Sequence, residues 1–122
     1  MIHNPHMLPK VRSPALLSAI AGMPCSLRLA GFAGRPCAPV DTVVGCHLPV
    51  FGKGVGTKVS DLFVVAGCST CHDLLDARNV EGLKLRELYP CAWTDRLLKA
   101  LAETQARWVQ MGVLVIPEAE LV

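Results

Sequence analysis

Two thiols three residues apart, Cys68 and Cys71, stand in a chain of 122 residues that holds six cysteines. At that spacing one tight turn can present both sulfurs to a single tetrahedral metal ion. Cys25 and Cys37 flank a loop rich in glycine and proline and offer two further thiolates, so the expected group is a structural zinc held by Cys25, Cys37, Cys68 and Cys71. Without a metal the same residues read as buried or disulfide-bonded cysteines, the usual case in secreted chains. Cys46 and Cys91 read as buried small hydrophobes, although Cys46, beside His47, could also reach a metal.

His72 follows the second thiol directly, and Asp76 lies four residues further on. On a helix those two side chains share one face, where a hard divalent cation such as Mg2+ or Mn2+ could bind through a nitrogen and a carboxylate oxygen. Read structurally, Asp73 and Asp76 are solvated helix-start acids. His47 ends a β-branched run, and a strand histidine is ordinarily structural. Here it is followed in order by a glycine-rich loop, a second strand and the CxxCH helix, an order that can set His47 opposite a helix-borne metal. The chemistry that fits is phosphodiester hydrolysis, with His47 deprotonating a water and a metal ion stabilising charge on the phosphate and the leaving oxygen. The loop between, Gly52-Lys53-Gly54-Val55-Gly56-Thr57-Lys58, lacks the order and spacing of a P-loop. Lys53 and Lys58 suit contacts to a nucleic-acid backbone, or the loop is an ordinary hairpin connection.

Cys68 to His72 also spells the CxxCH attachment motif of c-type haem, with His72 as proximal and Met111 as distal ligand. That reading demands export and leaves four cysteines to explain. The only leader-like segment, Lys10 and Arg12 ahead of Ala15 to Ala21, is short, interrupted by Ser18 and opened by Pro14.

The elements needed to position these groups are legible in part. Residues 1–12 read as a flexible arm in which His3 and His6 are solvated, and residues 13–122 as one domain. Ser13 as N-cap, Pro14 in the first turn and Gly22 as the stop frame a short first helix. Cys25 to Leu29 reads as a short strand, Gly31 to Pro39 as a turn-rich loop, Thr42 to Leu48 as a strand, and Asp61 to Ala66 as its partner. A helix begins near His72 and runs toward Arg78. The strongest periodicity lies in 90–111, where Trp93, Leu97, Leu101, Trp108 and Met111 fall on one face and Asp95–Lys99 and Glu103–Arg107 form i,i+4 pairs outside; Gly112 closes the helix. Val113 to Ile116 could add an edge strand.

Apolar residues make up 52% of the chain but aromatics only 5%, so the core is built mainly from aliphatic side chains. A net charge of +2 permits nucleic-acid binding without arguing for it. No stretch is long and apolar enough for a membrane span.

The run from SPALL (from Ser13) through CSLR, the His47 strand, GVGTKVSD and CSTCHDLLD to TQARWVQMGV resembles the YbcO-like family of small phage and prophage nucleases. Its most specific parts are GTK-x-x-D (Gly56 to Asp61) and CSTCHDLLD (Cys68 to Asp76). That family is regarded as related to HNH, or His-Me finger, nucleases. The resemblance implies an α+β fold: a small zinc-stapled ββα-metal core of treble-clef type, with an N-terminal helix and a long C-terminal helix. It implies His47 as general base, Asp61 near the place where such enzymes often carry an orienting Asn, and His72 with Asp76 as ligands of a catalytic divalent ion. It implies DNA as substrate, no membrane, and the cytoplasm of a bacterial host; monomer and homodimer both stay open. The residue before the base, an acidic metal ligand in many HNH enzymes, is Cys46 here, which suits the alternative of a non-catalytic zinc module that binds DNA or protein.

Overall fold

A computed structural model describes residues 9–49 and 59–122; the Gly52–Lys58 loop, with Lys53 and Lys58, and His3 and His6 lie outside the described residues. The chain is α+β, with a two-stranded sheet and a long C-terminal helix.

Helix α1 spans Pro14–Ala19. Ser13 caps it by accepting the Leu16 amide, Pro14 occupies the first turn, and Gly22 turns the chain with φ of +86°. The stretch expected as a strand from Cys25 to Leu29 is not one: it bends, and a 3-10 turn follows over Leu29–Ala33. Its sheet-like bonding among the described residues runs from the Ser26 and Leu27 amides to one carbonyl, that of Ala66.

Strands β1 (Val44–His47) and β2 (Val64–Gly67) pair antiparallel, with Val44 opposite Gly67 and His47 opposite Val64. Both are shorter than their β-branched runs suggest. Val40–Thr42 and Asp61–Phe63 instead form single 3-10 turns, the second capped by the Ser60 hydroxyl accepting the Leu62 amide.

Helix α2 covers Ser69–Leu75 and ends there, because Asp76 leaves helical geometry with ψ of 129°. Helix α3, Val80–Leu88, has weak amphipathic patterning and was not expected; Asn79 caps it through the Gly82 amide. A Cβ on Gly82 would overlap the Leu74 carbonyl, so this glycine lets α3 pack against the end of α2.

Helix α4 runs Pro90–Gln110, and Gly112, with φ of +78°, ends it as expected. Its buried line is Trp93, Ala100, Thr104 and Trp108, while Leu97 and Leu101 flank the core. Met111 is 52% exposed and leaves that face. Thr104 Oγ1 accepts the Ala66 amide at 3.2 Å, and Trp108 Nε1 donates to the Leu16 carbonyl at 3.0 Å, so one helix clasps both the sheet and α1. Asp95 pairs with Lys99 at 2.9 Å as its spacing demands. Glu103 does not pair with Arg107: it takes Arg28 and Arg96, while Arg107 donates to Ser26 Oγ. One partner comes from the bend before the 3-10 turn and the other from two turns earlier in α4. Residues 113–116 form turns rather than an edge strand. Among the described residues no helix is long and apolar enough to cross a membrane.

Candidate functional site

The sheet carries two clusters at opposite ends. At the Gly67 end, the chain enters the CxxC knuckle and α2; at the Val64 end, β1 delivers His47.

At the knuckle the sulfurs of Cys25, Cys37, Cys68 and Cys71 all lie within 4.8 Å of one another. Cys37 Sγ is 3.8 Å from Cys71 Sγ. Four thiolates around an ion at a metal–sulfur distance of about 2.3 Å are separated by about 3.8 Å, so this group could hold a metal ion with little movement. Backbone amides point at the sulfurs. Cys25 accepts from Arg28 at 3.5 Å and Cys68 at 3.3 Å, Cys71 from Ala30 at 3.3 Å, and Cys68 from Ala38 at 3.3 Å and Cys71 at 3.5 Å. Such donors favour thiolate over thiol.

The acidities follow. Cys25 is pulled down to about 4, chiefly by the hydrogen bond from Cys71, with the amides of Arg28 and Cys68 helping against burial. Cys71, which gives that hydrogen bond, is pushed up, and burial adds to it. Cys37 rises to about 11 through burial and then through the charge on Cys25. Cys25 thus carries charge while Cys37 and Cys71 keep their protons, which a bound cation would displace.

The structure decides between Cys37 and Cys46. Cys46 stands outside the four-sulfur group, fully buried, with its thiol toward the Val44 and Gly67 carbonyls, and burial pushes it up to about 12. Cys91 is exposed on α4, contrary to expectation, because position 91 falls on the outer face of the helix's first turn. Cys68 and Cys71 are both fully buried within the sulfur group, an arrangement that leaves no exposed pair for thioether bonds to haem.

At the other end, His47 Nε2 lies 3.4 Å from Asp61 Oδ1. Asp61 is 4% exposed, and its second oxygen accepts the Ser13 amide at 2.7 Å. Both carboxylate oxygens are therefore partnered, which makes the burial tolerable. The imidazole is half-buried, its side chain 40% exposed. A carboxylate facing Nε2 selects the tautomer with the proton there and leaves the Nδ1 lone pair to accept a proton.

His72 is exposed in the last turn of α2. Asp76, just past the helix, is engaged by Arg78 at 3.3 Å, and its carboxyl is held below its usual range chiefly by that hydrogen bond, with His72 contributing a smaller electrostatic pull. Among the described residues no hydrogen bond or ion pair joins His72 or Asp76 to His47 or Asp61. Reading the chain by motif missed the Ser13 amide, the Ser60 hydroxyl and the Arg28 amide. Only the last left a trace, since Cys25-Ser-Leu-Arg28 has the length of a turn that folds an amide back onto a sulfur.

Residues 15–113 match the family described as "Putative nuclease YbcO". The chain belongs to the YbcO family. It is 35% identical over 103 residues to "Putative nuclease YbcO" of Escherichia coli (strain K12), covering 81% of this chain and 95% of that relative. The same identity and coverage hold for "Putative nuclease ybcO" of Enterobacteria phage 82. No solved structure matches the chain significantly. The YbcO match takes in all four clustered cysteines, His47, Asp61, His72 and Asp76, and begins after the 11–13 segment.

Proposed function

We propose that this YbcO-family chain is a metal-dependent endonuclease that hydrolyses DNA phosphodiester bonds, with His47 as the general base. One observation carries the reading: the Nε2 of a half-exposed imidazole faces a buried carboxylate that the Ser13 amide anchors, which leaves Nδ1 as the nitrogen to accept a proton. Asp61 holds the ring and its tautomer, and His47 takes the proton from the attacking water at Nδ1. The names of the relatives point the same way.

We assign the four-cysteine group to a structural zinc, in keeping with its all-thiolate donor set and sulfur spacing. His72 and Asp76 are proposed as ligands of a separate Mg2+ or Mn2+ ion. When bound, that ion would supply charge stabilisation at the phosphate. Arg78 must release Asp76 for this. Lys53 and Lys58 are proposed to touch the DNA backbone from the loop after His47.

Cleavage of plasmid or branched DNA with Mg2+ or Mn2+ tests the base. His47→Ala should reduce the rate by about 10²–10⁴-fold, and equal rates in both proteins reject it. Mn2+ broadening of NMR signals tests the ion: broadening of both the His47 and His72 rings supports one shared centre, and broadening of His72 alone rejects it. The buried, uncharged Cys46 in place of an acid before His47 favours a second reading, a zinc module that binds DNA without cutting it. Salt-dependent binding with no cleavage under any metal would establish that reading.

A further inference from the structure

The segment leading into α1 is stitched to the segment that carries Asp61. The Val11 amide donates to Ser60 Oγ at 3.0 Å, and the Val11 carbonyl accepts the Asp61 amide at 2.8 Å. Arg12 donates through one guanidinium nitrogen to the Val59 carbonyl at 2.8 Å, and the Ser13 amide donates to Asp61 Oδ2 at 2.7 Å. Val59, Ser60 and Asp61 are all buried, at 5%, 6% and 4% exposure. The hairpin itself does little to hold this carboxylate. Among the described residues its paired register ends at His47 and Val64, and one further backbone bond runs from the Leu48 amide to the Phe63 carbonyl.

Asp61 consequently has two duties fixed from two directions. Oδ2 is held by the backbone at residue 13, and that anchor sets where Oδ1 stands relative to the imidazole. The contact to His47 is long, at 3.4 Å, and is the only hydrogen bond to that ring among the described residues. A half-exposed imidazole on one long contact keeps a single tautomer only if its partner is immobile.

We propose that Val11, Ser13 and Ser60 are positioning residues for the His47–Asp61 pair, so that the chain's N-terminal segment completes the candidate active site. Residues 11–13 precede the stretch that matches the family. As far as cleavage is concerned, the inference rests on His47 being the base; the tautomer part does not.

The test uses the full zinc-loaded chain and reads the His47 tautomer by long-range proton–nitrogen NMR beside the steady-state kinetics of DNA cleavage. Wild type should show the Nε2–H form. Val11→Pro removes the donor to Ser60, and Ser60→Ala removes the acceptor; each should give a mixed tautomer and a fall in kcat of about tenfold or more with KM little changed. Ser60→Thr should restore both. Asn79→Ala, which removes the α3 cap far from the arm, should lower Tm yet keep the wild-type tautomer, separating positioning from stability. A wild-type ring already sampling both tautomers, or folded Val11→Pro and Ser60→Ala chains that keep the Nε2–H form, overturns the proposal. Tautomer loss in both variants with no cleavage by any protein, wild type included, upholds the clamp and sinks the nuclease reading instead.

Discussion

At the scale of single residues, the chemistry turns on which polar groups have been taken out of water and what meets them there. Asp61 is buried because the Ser13 amide and His47 satisfy it. Asp61→Ala leaves that amide unpaired and the ring undirected. The expected outcome is a loss of about 1–3 kcal/mol in denaturant titrations, together with a fall in cleavage rate. The two leftover cysteines differ in the same terms. Exposed Cys91 should react first with a thiol reagent, whereas Cys46 should stay unmodified until the chain unfolds, as mass spectrometry of partially labelled protein would reveal. Burial keeps Cys46 protonated up to about 12 against an ordinary thiol value of 9.0, so the unfolded chain sheds this proton first as pH rises. Its contribution to stability is complete below 9.0, falls between those values and is absent above them. Cys46→Ala should therefore show a smaller loss of stability between about pH 8 and about pH 10.5 than wild type.

At the scale of elements, glycine and one threonine decide how closely the pieces approach. A Cβ on Gly67 would stand 2.5 Å from Leu27 Cδ1 and 2.7 Å from Cys46 Sγ, in the middle of the core. Gly67→Ala should cost about 1–3 kcal/mol, read as a lower denaturant midpoint at unchanged slope. Thr104 couples α4 to β2 by accepting the Ala66 amide and donating to the Ala100 carbonyl. Thr104→Val keeps the shape but strands a buried amide, with an expected loss of about 1–3 kcal/mol by the same measurement. The signals for the helix itself are local: Pro90 in its first turn, its periodicity and the Gly112 stop. Only its attachment to the sheet is at stake.

At the scale of the whole molecule, the four sulfurs bring together three stretches distant in the chain: the bend at 25–28, the loop at 37 and the knuckle at 68–71. The sheet has only two strands, too few to be stable alone. A metal ion bound at this group would then be part of folding. Stripping the metal with a strong chelator, or Cys25→Ser, should lower Tm by about 10 °C or more. Elemental analysis before and after should follow the loss from one metal ion per chain to none.

Local rules decided α1 and α4, because caps, proline placement, glycine stops and periodicity act over a few residues: Ser13, Pro14, Gly22 and Gly112 all do what their types dictate. Spacing also singled out the four thiols that cluster, since CxxC fixes one pair and a metal needs two more. Tertiary packing alone decided that Cys46 stays outside them, that Glu103 turns to Arg28, that 80–88 is a helix despite weak patterning, and that Asp61 is gripped by Ser13. Each of these depends on groups far apart in the chain or on how much water is excluded around them, and residue order carries neither quantity.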